Sequence, residues 1–358
     1  MGSAPAGTAL GDVRLAHPPH QQGWFDTFAD WVEALPGPAW ITYFLLWVWV
    51  CLSLVGFQWA HSGREVLPNL PYLIFFASQS ITSLAMAHAI RAASSRSFER
   101  FRPLLDDGEE HVAAHKYTLA RAPVRSTMIA SLATAGVLPV VMILSDVSQP
   151  LRLNVVSLTS WTLLLIGLVV NGFVVGGTLY HLLYQLRAIH RLLVSAKPID
   201  LNDLEPAYAF SSTTSLAALM LTLDNTLWYA IQPALLTDPF GVVAGIVMSG
   251  LALVVFIWPL WGAHRLLQRE QVHLLKLNGA AFQRLRDELH SRARDGSFEG
   301  MGDLHHALSS LEVERARLDR VPTWPWHPGT FRGTLAAILL PIVIWLIQQI
   351  LSQWLGGP

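Results

Sequence analysis

Apolar residues in this chain gather into long runs, with no sustained alternation, and the runs have the length that a hydrocarbon layer demands. Crossing ~30 Å of apolar thickness as an α-helix takes about 20 mostly apolar residues. Trp40 to Trp59, Pro71 to Ile90, Thr127 to Leu144, Val156 to Leu183, Gly241 to Trp261 and Thr334 to Leu355 are of that order. A seventh run, Tyr208 to Leu236, is interrupted by Ser211, Ser212, Thr213, Thr214, Asp224 and Asn225. Two helices outlast the membrane. The pattern continues from Val156 to about Ser195 and from Gly241 to about Arg294, and at ~1.5 Å per residue each exceeds the apolar layer by several turns. Beyond a turn at Asp295 to Gly302, Leu304, Leu308, Leu311 and Leu318 share one helical face, which predicts a helical hairpin standing on the sixth span. Pro322, Pro325 and Pro328 then bar a continuous helix, because proline lacks the N–H that a helix needs. Trp324 and Trp326 in that elbow suit the headgroup layer, where an apolar ring with a polar edge is favoured. Ahead of the first run, a leader rich in Gly, Ala, Pro and His ends in a short amphipathic segment, Trp24 to Leu35.

Charge decides the topology. Only 14% of residues are charged, against roughly 25% in soluble domains, and the mean hydropathy is +0.40. Of the 24 Lys and Arg residues, all but Arg64 and Arg152 fall on one side if the interrupted run is counted as a crossing; cytoplasmic loops collect such residues. The chain therefore reads as an all-α polytopic membrane protein of about seven transmembrane helices, N-terminus inside and C-terminus outside, with a cytoplasmic helical hairpin between the sixth and seventh. Residues 1–38 form a flexible leader with its amphipathic segment, and 39–262 hold the first six transmembrane helices. Residues 263–321 form the hairpin that anchors the assembly, 322–332 the Pro/Trp interfacial elbow and 333–358 the final transmembrane helix. The expected location is the cell (plasma or inner) membrane. A net charge of −1 offers no field for nucleic acid, and the single cysteine, Cys51, excludes an internal disulfide.

Polar groups inside an apolar layer are costly, so they carry the functional signal. Asp224 and Asn225 lie mid-span in the fifth helix, as an ion or proton site or as a hydrogen bond to a neighbouring helix. In the last span Gln348 and Ser352 are four residues apart, with Trp345 on the same face. That uncharged stripe either lines a water-filled path or hydrogen-bonds helices together. His88, His181 and His264 sit near the cytoplasmic ends of the second, fourth and sixth spans. They would form a haem or metal site if those helices were neighbours, and are otherwise interfacial; no second ligand follows three or four residues on. Gly172, Gly176 and Gly177, and likewise Gly241 and Gly245, make small faces for close helix packing. There is no phosphate loop, nucleophile elbow or HExxH, so the reading leans away from an enzyme, and no cofactor is expected.

In layout, the chain resembles the seven-helix ion channels of the insect odorant and gustatory receptor type, while its prolines and low-complexity leader look like those of a prokaryotic multi-pass membrane protein. Those channels carry Thr-Tyr, five apolar residues, then Gln-Phe in their last helix. Here Pro341-Ile342, then Val343 to Ile347, then Gln348-Gln349 keep the spacing and the first Gln, and depart at Pro341, Ile342 and Gln349. The resemblance implies a homo-oligomer, a tetramer, that is a cation-conducting, ligand-gated channel with its pore lined by the last helix. A membrane sensor or scaffold recruiting a partner through the hairpin, and a haem- or metal-binding redox protein, are the alternatives.

Overall fold

A computed structural model of the chain describes residues 18–62, 70–105, 108–144, 158–201, 203–231, 239–296, 299–326 and 328–354. The first seventeen residues of the leader lie outside the described residues. The described elements are helical throughout, apart from one isolated bridge: α1 (Trp24–Ala34), α2 (Ala39–Ser62), α3 (Leu70–Phe101), a 3-10 turn at Arg102–Leu104, α4 (Glu109–Ala120), α5 (Val124–Leu144), α6 (Leu158–Ser195), α7 (Glu205–Tyr208), α8 (Ser211–Ile231), α9 (Pro239–Ile257), α10 (Trp261–Arg294), α11 (Met301–Asp319) and α12 (Pro328–Trp354).

Three helical stretches among the described residues, Ala39–Ala60, Leu165–Ser195 and Gly241–Arg294, are long and apolar enough to cross a membrane, and Val124–Val140 and Gly329–Leu340 are shorter apolar helices. Their outer faces carry large apolar side chains in the open: Trp40, Trp49 and Leu52 on α2, Ile129 and Val137 on α5, Val243 and Val247 on α9. So much contiguous exposed hydrocarbon is foreign to a water-facing monomer and fits a lipid surface.

α6 is the hub. It packs along α5, α3, α4 and α10, and its glycines explain how closely it meets α5. A Cβ built on Gly172 would fall 2.8 Å from the Thr134 carbonyl oxygen, and one on Gly177 would fall 2.5 Å from Ser131 Oγ and 2.6 Å from the Trp24 ring. Asn171 ties α6 to α3, donating to the Phe76 carbonyl at 3.3 Å and to Ser80 Oγ at 3.0 Å. On the far side, α8 lies against α3, α9 and α12. Ser211, Thr213, Thr214 and Ser215 at its start are buried there, while Ser212 is exposed. Ser97 and Thr213 share a hydrogen bond of 3.0 Å, and Ser215 and Thr334 one of 2.5 Å, so hydroxyls join α3 to α8 and α8 to α12.

The stretch expected as one helix from Gly241 to Arg294 is divided. Trp258, Pro259 and Leu260 form a turn between α9 and α10, because Pro259 has no N–H to donate and its ring collides with the carbonyl four residues back. α12 starts earlier than expected, at Pro328, inside the stretch read as elbow; proline's fixed φ and missing donor suit the first helical position. α10 and α11 lie side by side, joined by Gln271 donating to the Leu318 carbonyl at 2.7 Å and Asn278 donating to Glu314 Oε2 at 2.8 Å. Leu304, Leu308 and Leu311 of α11 are half-buried and Leu318 is buried.

Candidate functional site

The short amphipathic segment ahead of the first long run is the lid of a buried charge cluster. In α1, Phe25, Ala29 and Val32 form one buried stripe against Tyr43 of α2 and Ile81, Leu84 and Ala87 of α3. Beside that stripe run Asp26, Asp30 and Glu33, spaced four and three residues apart and so on one face. The entry to α1 is held by backbone: Gly23 N–H donates to the Ala122 carbonyl at 3.0 Å and Val124 N–H to the Gln21 carbonyl at 3.0 Å. Trp24 Nε1 donates to Ser131 Oγ at 2.9 Å, and its ring lies over Phe173, 5.2 Å between centroids. Gly177 leaves the room that this ring fills.

Arg91 of α3 sits under this helix with no exposed surface. Its Nη2 donates to Asp30 Oδ1 and lies 3.9 Å from Glu33 Oε1; its Nη1 donates to the Asp26 carbonyl at 3.4 Å and lies 4.0 Å from Asp26 Oδ1. Arg121, at the end of α4, reaches Asp30 Oδ2 at 3.2 Å and stands 5.3 Å over the Tyr117 ring. His88 Nε2 is 3.4 Å from Glu33 Oε1, and its Nδ1 is 3.1 Å from Tyr43 Oη. From α6, His181 brings Nδ1 to within 3.6 Å of Asp26 Oδ1. A charge this deep is tolerable only when paired and hydrogen-bonded, and five elements contribute to meeting that demand.

Satisfaction is incomplete in one place. Asp26 Oδ2 accepts from Gly23 N–H at 3.3 Å and Ala122 N–H at 3.1 Å, while Oδ1, Glu33 Oε1, Arg91 Nε, both ring nitrogens of His181, Ser94 Oγ and both amide atoms of Gln185 have no hydrogen-bond partner among the described residues. Burial outweighs Arg91 and the two backbone donors, and pushes the Asp26 carboxyl up to about 7; burial likewise raises Glu33. At the rim, His20 Nε2 meets Tyr184 Oη at 3.1 Å, and burial lowers its pKa. The arrangement can hold or release a proton in a water-poor pocket. It places no nucleophile beside a base, and among the described residues no three His, Cys, Asp or Glu side chains converge as metal ligands.

Of the three histidines read as one constellation, His88 and His181 both border Arg91 and its acids. His264 stands apart: its ring is stacked on Trp324 at 4.1 Å, and Nδ1 lies 3.0 Å from the Thr323 carbonyl. Trp324 stacks on Trp326 at 4.6 Å, and Trp326 on Phe331 and Phe256, so the elbow is also an aromatic pile against α9 and α12. Asp224 is half-buried and takes a hydrogen bond from Gln79 of α3; Asn225 is half-buried beside it. The side chains of Trp345, Gln348 and Ser352 lie outside the described residues. Sequence reasoning passed over Asp26, Asp30, Glu33, Arg91 and Gln185. The signals were the acid spacing on a helix with an apolar stripe, and an arginine framed by alanine and serine at the end of an apolar run. No protein-family model, curated protein or solved structure matches the chain.

Proposed function

We propose that the chain crosses the membrane seven times, N-terminus inside, and assembles into an oligomeric ion channel whose conducting path runs along α12. The observation that carries this reading is the setting of α12 at the edge of the bundle. Thr334 and Ile338 are buried against the subunit, whereas Leu339, Leu340, Val343, Leu346, Ile347, Ile350 and Trp354 are open, and no charged residue follows Arg332. A helix attached along one side and uncharged over its length is free to meet its own copies about a central axis, and a path lined by neutral polar groups passes ions without trapping them. In this arrangement α10 and α11 stand in the cytoplasm and hold subunits together. Lipid is the surrounding partner.

Single cysteines from Ile342 to Gln353, in a Cys51→Ser background, test the path. Reactivity toward water-soluble thiol reagents should repeat at about 3.6 residues, peak at Trp345, Gln348 and Ser352, and change conductance in bilayers. Peaks at Val343, Ile347 and Ile350 with altered current would keep the channel and reject those three as its lining. Unreactive cysteines with no current would remove the channel reading altogether.

A second reading, a membrane scaffold, is favoured by one feature. Between α10 and α11 an open groove of about 660 Å³ is lined by Ala281, Arg284, Leu285, Ala307, Leu311 and Glu314, and Leu277 and Val313 are exposed on these otherwise polar helices. A stable monomer in detergent would favour that reading.

A further inference from the structure

Two buried polar atoms without hydrogen-bond partners among the described residues face each other under α1. Among the described residues neither Asp26 Oδ1 nor His181 Nδ1 has a hydrogen-bond partner, yet they lie 3.6 Å apart with both side chains fully buried. In the Nε2–H tautomer of His181 a carboxylate oxygen is repelled by the bare Nδ1, and in the Nδ1–H tautomer the two atoms stand beyond hydrogen-bond reach at 3.6 Å, so without water an ionised carboxylate oxygen is solvated in neither. One proton between them removes both penalties.

The surrounding charge points the same way. The groups around the pair are Asp30 and Glu33 on α1, Tyr43 on α2, His88 and Arg91 on α3, Tyr117 and Arg121 from α4, and Tyr184 on α6 with His20 against it. With Asp26 protonated, the carboxylates of Asp30 and Glu33 balance the guanidiniums of Arg91 and Arg121. With Asp26 ionised, the set carries one excess negative charge, and the Asp26 side chain itself has no exposed surface. α1 ends at the turn Pro36-Gly37-Pro38, with Gly37 at φ +107°, so a bend in the chain separates the lid from α2.

We propose that Asp26 and His181 form a proton-binding site whose occupancy keeps α1 docked, so that the seat of α1 is a latch operated by pH. Docking takes one proton from solvent, forming the O–H bond at Asp26 Oδ1 with His181 Nδ1 accepting the hydrogen bond; release of α1 returns that proton. The docked carboxyl holds its proton more tightly than an exposed one, so docking is strongest below the ordinary carboxylate range and weakens as pH rises toward 7.

Cysteine labelling of the purified full-length protein, with Cys51→Ser, tests this. Val32 is 1% exposed and Trp31 is 53% exposed on the same helix, so the labelling rate of Val32→Cys divided by that of Trp31→Cys, using a water-soluble maleimide, reports undocking with the thiol's own titration cancelled. The ratio should rise on the order of tenfold from about pH 5.5 to about pH 8.5, and should stay low at both in Asp26→Asn, which keeps the neutral form. A flat ratio in the parent, or the same rise in Asp26→Asn, overturns the proposal. Should Asp26→Asn fail to fold, infrared spectra of an Asp224→Asn protein must show a carboxylic-acid C=O band that disappears as pH rises through neutrality; no such band overturns it as well. None of these readouts depends on conduction.

Discussion

Arg91 shows how one residue can organise a region. A guanidinium with no exposed surface gives up its hydration, and the Asp26 carbonyl and the carboxylates of Asp30 and Glu33 replace it. Its planar fork is suited to several acceptors at once, which a lysine ammonium is not. Arg91→Met leaves these acids with Arg121 as their only guanidinium among the described residues, and breaking a buried pair from one side costs about 3–5 kcal/mol. Denaturant unfolding in detergent should show a loss of that order, and Arg91→Lys should recover only part of it. Stability equal to the parent in Arg91→Met would mean that the acids reach water and the cluster is no closed site.

Among the elements, α5 and α6 test most sharply how small residues set helix approach. A methyl group on Gly172 meets backbone, the Thr134 carbonyl at 2.8 Å and the Ala135 Cα at 3.0 Å, and backbone cannot step aside as a side chain does. Gly172→Ala should therefore destabilise by roughly 1–3 kcal/mol through overpacking. Gly167, on the same helix, has nothing among the described residues within 4 Å of its would-be Cβ, so Gly167→Ala should be neutral or stabilise by up to about 1 kcal/mol through helix propensity. Thermal melts of the two variants in detergent should move in opposite directions. No loss in Gly172→Ala would show that α5 and α6 do not approach this closely in solution. These glycine faces were legible in sequence as a spacing, whereas their partners, Thr134, Ser131 and Trp24, were not, since nothing local says which neighbour fills a groove.

For the whole molecule, the proposed orientation rests on the division of Lys and Arg, all but two of which fall to one side. A reporter fused after Pro358 should be active only outside, and one inserted near Gly296 only inside. Activity of the first on the cytoplasmic side would leave α8 or another weak span uncrossed. Leu308→Asp, at a half-buried position of α11, which packs along α10, should weaken assembly: fully burying a leucine is worth roughly 1.5–3 kcal/mol, and the substitution replaces part of that with a charge. Unchanged oligomer size and melting temperature would show that the face is solvated.

Helical content, the apolar stretches and the polar character of α10 and α11 follow from the sequence alone, because hydrophobic periodicity and run length act locally and survive any later packing. Pro259 could have been read in the same way, as a missing donor within an apolar run. The site could not. Asp26 and Arg91 are 65 residues apart and His181 lies 155 residues from Asp26, and each reads singly as a surface or interfacial polar residue. Only the folding of α1 onto α2 and α3, with α6 drawn in by its glycines, removes water from all of them together. That removal turns ordinary charges into a proton-holding cluster, because the cost of burying a charge depends on every group around it, which no local pattern contains.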